Sequence, residues 1–181
     1  MVEQWAERLA VWLKNEVPDH PYSVARLQFG FHLFLNTVLT LLAASILGVL
    51  LGSYKETMQV LAAFAMLRMI SGGYHFKSAM VCIVVSAGVA ALLPHINLSS
   101  TNILFLNMIN LLLTALFSPS GIENQTRIPP KYYPHLKIVS SLLVASNFIW
   151  QSPLLAVTWF TQAVTMLRWP LRMGMKGGEV K

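Results

Sequence analysis

Leu33-Phe-Leu-Asn-Thr-Val-Leu-Thr-Leu-Leu-Ala-Ala-Ser-Ile-Leu-Gly-Val-Leu-Leu-Gly52 contains no charged side chain. Its length matches the roughly 20 apolar residues a helix needs to cross about 30 Å of hydrocarbon. Five further apolar runs follow, at 57–70, 79–93, 103–117, 138–149 and 154–167. Each is shorter than a full span. It must recruit polar flanks, thin the bilayer or lean on neighbours to cross. The pattern predicts an all-α, polytopic membrane protein with about six short transmembrane or partly re-entrant helices, forming a single membrane domain over 1–181.

Composition points the same way. Of 181 residues, 55% are apolar and 11% charged, against a usual charged share of about 25%. Mean hydropathy is +0.58. A disordered tail, a collagen and an ordinary soluble domain are excluded, because so few charges would cover a water-facing surface poorly. Thirteen Lys and Arg against seven Asp and Glu give a net charge of +6. In a membrane chain that excess holds cytoplasmic loops in place rather than binding nucleic acid. Arg8, Lys14 and Arg26 precede the first run, and Arg68 and Lys77 flank the second link. Arg127, Lys131 and Lys137 lie in or beside the fourth, and four more basic residues follow the last run. Only Lys55 falls in an alternate link. Six spans with both termini in the cytoplasm satisfy this distribution.

Before the spans, residues 2–17 place Val2, Trp5, Ala6, Leu9, Trp12 and Leu13 at helical spacing, with Glu3, Glu7, Arg8, Lys14 and Asn15 opposite. This is an amphipathic helix for the membrane interface or for packing on the rest of the protein. Residues 118–137 form the longest polar link, punctuated by Pro119, Pro129, Pro130 and Pro134, and read as a functional cytoplasmic loop. His20, His32, His95 and His135 are scattered and are assigned interface or packing roles.

Chemistry concentrates at Arg68-Met-Ile-Ser-Gly72-Gly73-Tyr-His75-Phe-Lys-Ser-Ala-Met-Val-Cys82. The glycine pair interrupts two apolar runs, and the sole cysteine lies seven residues after the histidine. An imidazole can take a thiol proton, and the thiolate attacks a carbonyl. The Gly72 and Gly73 amides are candidates for an oxyanion hole, with Arg68 and Lys77 supplying positive charge. One straight helix would separate His75 from Cys82 by roughly 10 Å of rise, too far for a hydrogen bond of about 3 Å. Catalysis therefore requires a bend between them. A lone buried Cys and an interfacial His explain the same residues without catalysis, and one Cys with one His leaves a zinc site two ligands short. No metal or cofactor is expected.

The spacing Arg68-x3-Gly72-Gly73-x-His75-x6-Cys82 resembles the signature of the accessory gene regulator protein B family, bacterial membrane-embedded cysteine endopeptidases of quorum sensing. The chain length, amphipathic N-terminus, short spans and Pro-rich loop are also similar. The resemblance implies Cys82 as nucleophile and His75 as base, with Arg68, Gly72 and Gly73 in supporting positions. It implies removal of the C-terminal tail of a small amphipathic propeptide through an acyl-enzyme thioester. A side chain of the peptide then resolves that thioester to a ring. It further implies a homodimer in the bacterial cell membrane with a cytoplasmic active site. Arg127, Lys131 and Lys137 are candidates for binding an acidic peptide tail. The rival reading is a non-catalytic membrane protein, a small transporter or an assembly partner. The absence of acidic residues inside the apolar runs disfavours ion-coupled transport.

Overall fold

The computed structural model describes residues 2–74, 78–121 and 128–167. Among these the fold is all-α, of polytopic membrane type. The helices are α1 (Val2–Glu16), α2 (Val24–Leu50), α3 (Tyr54–Ser71), α4 (Ala79–Leu92), α5 (Ser100–Phe117), α6 (Tyr133–Ala145), the single turn α7 (Asn147–Trp150) and α8 (Pro153–Met166). Each apolar run of the sequence has become a helix, the fifth divided between α6 and α7. By length and composition, α2 and α5 can cross a membrane, with mean hydropathies of 2.2 and 1.6 over their most apolar windows.

The lining of these helices runs opposite to that of a soluble core. Phe29, Phe34, Ile46 and Val49 of α2 are exposed, as are Phe105, Met108 and Leu112 of α5, while Asn107, Asn110 and Thr114 of α5 are fully buried. Apolar side chains outside and hydrogen-bonding groups inside are what hydrocarbon solvent favours.

The chain packs as two compact units, residues 1–61 with 75–96, and residues 62–74 with 97–181. In the first, α1 and α4 both pack on α2. Small side chains set the α1 contact. Val2, Ala6 and Ala10, one every four residues, are buried, and Val2 joins Ala79 and Ile83 of α4 over Leu35, Leu39 and Ala43 of α2. Trp5 and Trp12 remain 57% and 58% exposed. Of the two expected roles of this helix, packing on the rest of the protein is the one seen: the alanines dock it, and Trp5 and Trp12 lie away from that contact. At one end of the unit His32 Nε2 lies 4.0 Å from Glu3 Oε1, and at the other Ser53 Oγ meets His95 Nε2 at 3.3 Å. Gly48 lets α2 approach the start of α3, since a Cβ there would sit 3.1 Å from the Tyr54 Cα.

The second unit is built on α5, against which α6 and α8 pack. Leu67, Val144 and Trp159 form its apolar centre with Leu111, Leu143 and Leu155. A polar clamp closes the turn between α6 and α8. Asn147 Nδ2 donates to Asn107 Oδ1 at 3.0 Å and to the Ser152 carbonyl at 3.0 Å. Its Oδ1 accepts from the Ser152 amide at 2.9 Å. Gln151 there takes a left-handed φ of 47°, which frees the chain to reverse. Pairings fix the helix directions. Asn107 with Asn147 and Ser118 with Ser140 make α6 antiparallel to α5. Asn110 with Ala156 and Ser120 with Met166 make α8 parallel to it.

The polar link ends sooner than the sequence predicts. A 3-10 turn covers Pro130–Tyr132 and α6 begins at Tyr133, so Lys131 lies on that turn and Lys137 inside the helix. Pro134 does not break α6, because it sits in the first turn where a missing N–H costs nothing.

Candidate active site

The glycine pair ends α3. Gly72 has φ +70° and Gly73 φ +130°, conformations that favour glycine. The freed backbone then runs alongside Ser120 as an isolated parallel bridge. The Ser120 amide donates to the Ser71 carbonyl at 2.9 Å, and the Gly73 amide to the Ser120 carbonyl at 2.8 Å. One residue on, the Tyr74 amide donates to the Thr165 carbonyl at 2.9 Å. Within the second unit, therefore, the ends of α3, α5 and α8 meet around the motif. These are the segment ends that the basic-residue pattern groups on one side.

Both glycine amides are already engaged. Gly72 N donates to the Arg68 carbonyl at 2.9 Å, and Gly73 N to Ser120. In this arrangement the pair shapes the backbone rather than offering donors to an oxyanion, unlike the sequence expectation. Gly73 also has no room for a side chain, since a Cβ would stand 2.6 Å from Thr165 Oγ1 and 3.2 Å from Gln162 Nε2.

Arg68, in the last turn of α3, is held from several sides. Its guanidinium stands 5.5 Å over the Phe64 ring, its Nη1 donates to Gln162 Oε1 at 3.4 Å, and its Nη2 donates to the Tyr74 carbonyl. Gln162 is fully buried. Its Nε2 donates to the Gly72 carbonyl at 2.6 Å and reaches Ser71 Oγ at 3.2 Å. Thr165 Oγ1 donates to the Gln162 carbonyl at 2.7 Å and lies 3.1 Å from its Oε1.

Cys82 belongs to the first unit, in the first turn of α4, and is partly exposed. Its amide donates to the Ser78 carbonyl at 3.1 Å. Its Sγ lies 4.0 Å from Ser86 Oγ one turn later. Ser78 is the N-cap but its side chain makes no capping bond. Glu3 of α1 takes that place, its Oε1 accepting from the Ala79 amide at 3.2 Å. Its own backbone amide, and then that of Ala79, hold the Glu3 carboxyl below its usual range. A carboxylate held down in the folded protein stabilises it above the unfolded-state value of about 4.3, and the benefit disappears as pH falls through the folded value. Acidification of wild type through this window is therefore expected to lower the melting temperature. Glu3→Gln should flatten that part of the profile and speed hydrogen exchange at the Ala79 amide. Identical acid profiles for the two proteins would remove Glu3 as a cap.

His75 and Lys77, together with Arg127, lie outside the described residues. Their described neighbours do not lie in one helix. Helix α3 stops at Ser71 and α4 starts at Ala79, with Ser78 extended at φ −96° and ψ 126°. No single helix carries Gly73 through to Cys82. Among the described residues no cluster of three or more His, Cys, Asp or Glu side chains is placed to hold a metal ion.

Sequence reasoning missed Gln162, Thr165 and Ser120, which hold the motif from 47 to 94 positions away along the chain. A glutamine inside an otherwise apolar helix was the available signal for the first of them. No curated protein and no solved structure matches the chain. A family model does, Accessory gene regulator B, over residues 6–167. That span takes in most of both units and every motif residue from Arg68 to Cys82. With the glycine-broken helix pair and the membrane-type exterior already in place, the chain belongs to the accessory gene regulator B family.

Proposed function

We propose that this protein is a membrane cysteine endopeptidase that trims and cyclises a small signalling propeptide. Family membership implies a part in quorum-sensing propeptide processing. The structural observation that favours catalysis over mere packing is that Gly73, Tyr74 and Ser78 are not helical, so no single straight helix runs from Gly73 to Cys82. His75 takes the Cys82 proton, and the thiolate attacks the scissile carbonyl. The C–N bond breaks, His75 returns the proton to the leaving amine, and the tail departs. The peptide remains on Cys82 as a thioester. A thiol or hydroxyl of the peptide, giving its proton to His75, then attacks the thioester carbonyl, closes the ring and expels Cys82 as the thiolate beside the protonated imidazole. Exchange of one thioester for another is near thermoneutral, so the demands on the site are proximity and exclusion of water.

In this reading six spans place both termini, the motif and the basic link in the cytoplasm. The meeting of the α3, α5 and α8 ends supports that orientation for the second unit. Arg127, Lys131 and Lys137 offer an acidic tail opposite charge. The active form is a homodimer, and the propeptide arrives along the membrane surface on its own amphipathic helix.

Co-expression with a candidate short amphipathic propeptide carrying an acidic C-terminal tail, followed by mass spectrometry, tests the activity. The expected products are a free C-terminal tail and a ring lighter than the intact peptide by the mass of that free tail alone, which makes it one water lighter than the linear trimmed core. Cys82→Ala should give neither. Processing that persists in Cys82→Ala would eliminate the proposal and favour a non-catalytic membrane protein.

A further inference from the structure

Among the described residues of the second unit, three polar side-chain atoms are sealed from solvent and bonded to no protein group. They are Asn110 Oδ1, Thr114 Oγ1 and the Trp159 indole Nε1. Asn110 and Thr114 have no exposed surface, and Trp159 has 2%. A buried polar atom without a partner bears the full cost of its lost hydration, and that cost is not recovered in an apolar surround.

All three belong to one stretch of the seam between α5 and α8. Asn110 and Thr114 stand one turn apart on the buried face of α5. Asn110 Nδ2 holds the Ala156 carbonyl at 2.9 Å, and Ser120 Oγ holds the Met166 carbonyl at 3.0 Å, both at an offset of 46 residues. At that offset, with the two helices parallel, Trp159 comes level with Leu113, between Asn110 and Thr114. Ala156 and Ala163, a turn to either side of Trp159 on the same face, are fully buried and keep the α8 side of this stretch small.

Thr114 is set for a partner outside its own helix. Thr37, Thr40, Thr57, Thr158 and Thr161 each donate to the carbonyl four residues back. The Thr114 hydroxyl makes no such bond. An indole N–H only donates, an amide oxygen only accepts, and a hydroxyl does either. A direct bond from Trp159 to Asn110 would satisfy two of the atoms and strand the third. Neither helix carries a charged residue, so the seam suits a neutral molecule rather than an ion.

We infer that Asn110, Thr114 and Trp159 form a binding site for one buried water molecule. The water accepts from the indole, donates to the Asn110 amide oxygen and makes its third bond with the Thr114 hydroxyl. It adds a polar tie to the α5–α8 seam between the direct ones at Asn110 and Ser120. The site stands apart from the glycine motif and does not depend on the peptidase reading.

The test uses the full-length protein in lipid bilayers, with Trp5, Trp12, Trp150 and Trp169 replaced by Phe so that the remaining indole is Trp159. Proton-detected solid-state NMR should show magnetisation passing from water to the Trp159 indole proton despite its burial. Thr114→Val takes away one of the three ligands and should weaken that transfer several-fold. A second measurement uses the chain with all its tryptophans. Thr114→Val and Trp159→Phe should each lower the melting temperature, and the double variant should lose less than the sum, because both act through one molecule. No transfer from water to the indole would overturn the inference, and so would transfer that Thr114→Val leaves unchanged. A higher melting temperature in Thr114→Val would overturn it as well, since that is the result of exchanging an unpaired buried hydroxyl for a methyl.

Discussion

Gly73→Ala is expected to abolish processing while leaving the helices of the first unit folded. A side chain at φ +130° carries a backbone cost of about 1–3 kcal/mol. Added to this is a contact that cannot stand, a Cβ 2.6 Å from Thr165 Oγ1. Relief requires the strand-like segment to lift away from α8. That movement loosens the Tyr74 amide from the Thr165 carbonyl or the Gly73 amide from Ser120, each a bond whose loss costs about 1 kcal/mol or more. The combined penalty corresponds to a fall of at least about 30-fold in the population of the native turn. Helical content by circular dichroism should change little, whereas exchange of the Gly73 and Tyr74 amides should accelerate by that factor or more. Normal processing by Gly73→Ala would mean that this backbone does not govern the site.

The second large effect is expected at the reacting pair. Cys82→Ala removes the only thiol and should leave no detectable cleavage. His75→Ala should retain a small residual rate, because the thiol still ionises without help at high pH. Loss of a general base typically costs 10²- to 10⁴-fold, and the deficit should shrink as pH rises toward the intrinsic thiol range near 8.5. A His75→Ala profile parallel to wild type at every pH would place proton transfer elsewhere. Rates of propeptide cleavage measured between pH 6 and 9 distinguish the two.

Much of this architecture was legible because hydrocarbon leaves the backbone few options. Uncharged runs such as 33–52 had to become helices, and the glycine pair at 72–73 had to stop one. The helix boundaries were less legible. α2 begins at Val24, well before its apolar run, because the Ser23 side chain caps it by accepting from the Arg26 amide. Pro134 reads as a breaker in sequence, yet it starts a helix. The least legible features were the long-range ones. Asn107 and Asn147 look like weak points in a hydropathy profile, but they bond to each other across 40 positions. Likewise, Gln162 has no meaning until α8 lies beside the end of α3. The glycine amides looked available for an oxyanion because nothing local in the sequence announces that Ser120 will take one of them.

The central claim, that Cys82 carries the peptide as a thioester, is tested most directly by intact-protein mass spectrometry of the purified protein. The sample is quenched in acid shortly after mixing with the propeptide that co-expression identifies. The account predicts an adduct equal to the trimmed peptide less one water, located on Cys82, discharged by neutral hydroxylamine and absent from Cys82→Ala. Cleavage that proceeds with no adduct on Cys82 at any time point, and at the same rate in Cys82→Ala, would contradict it.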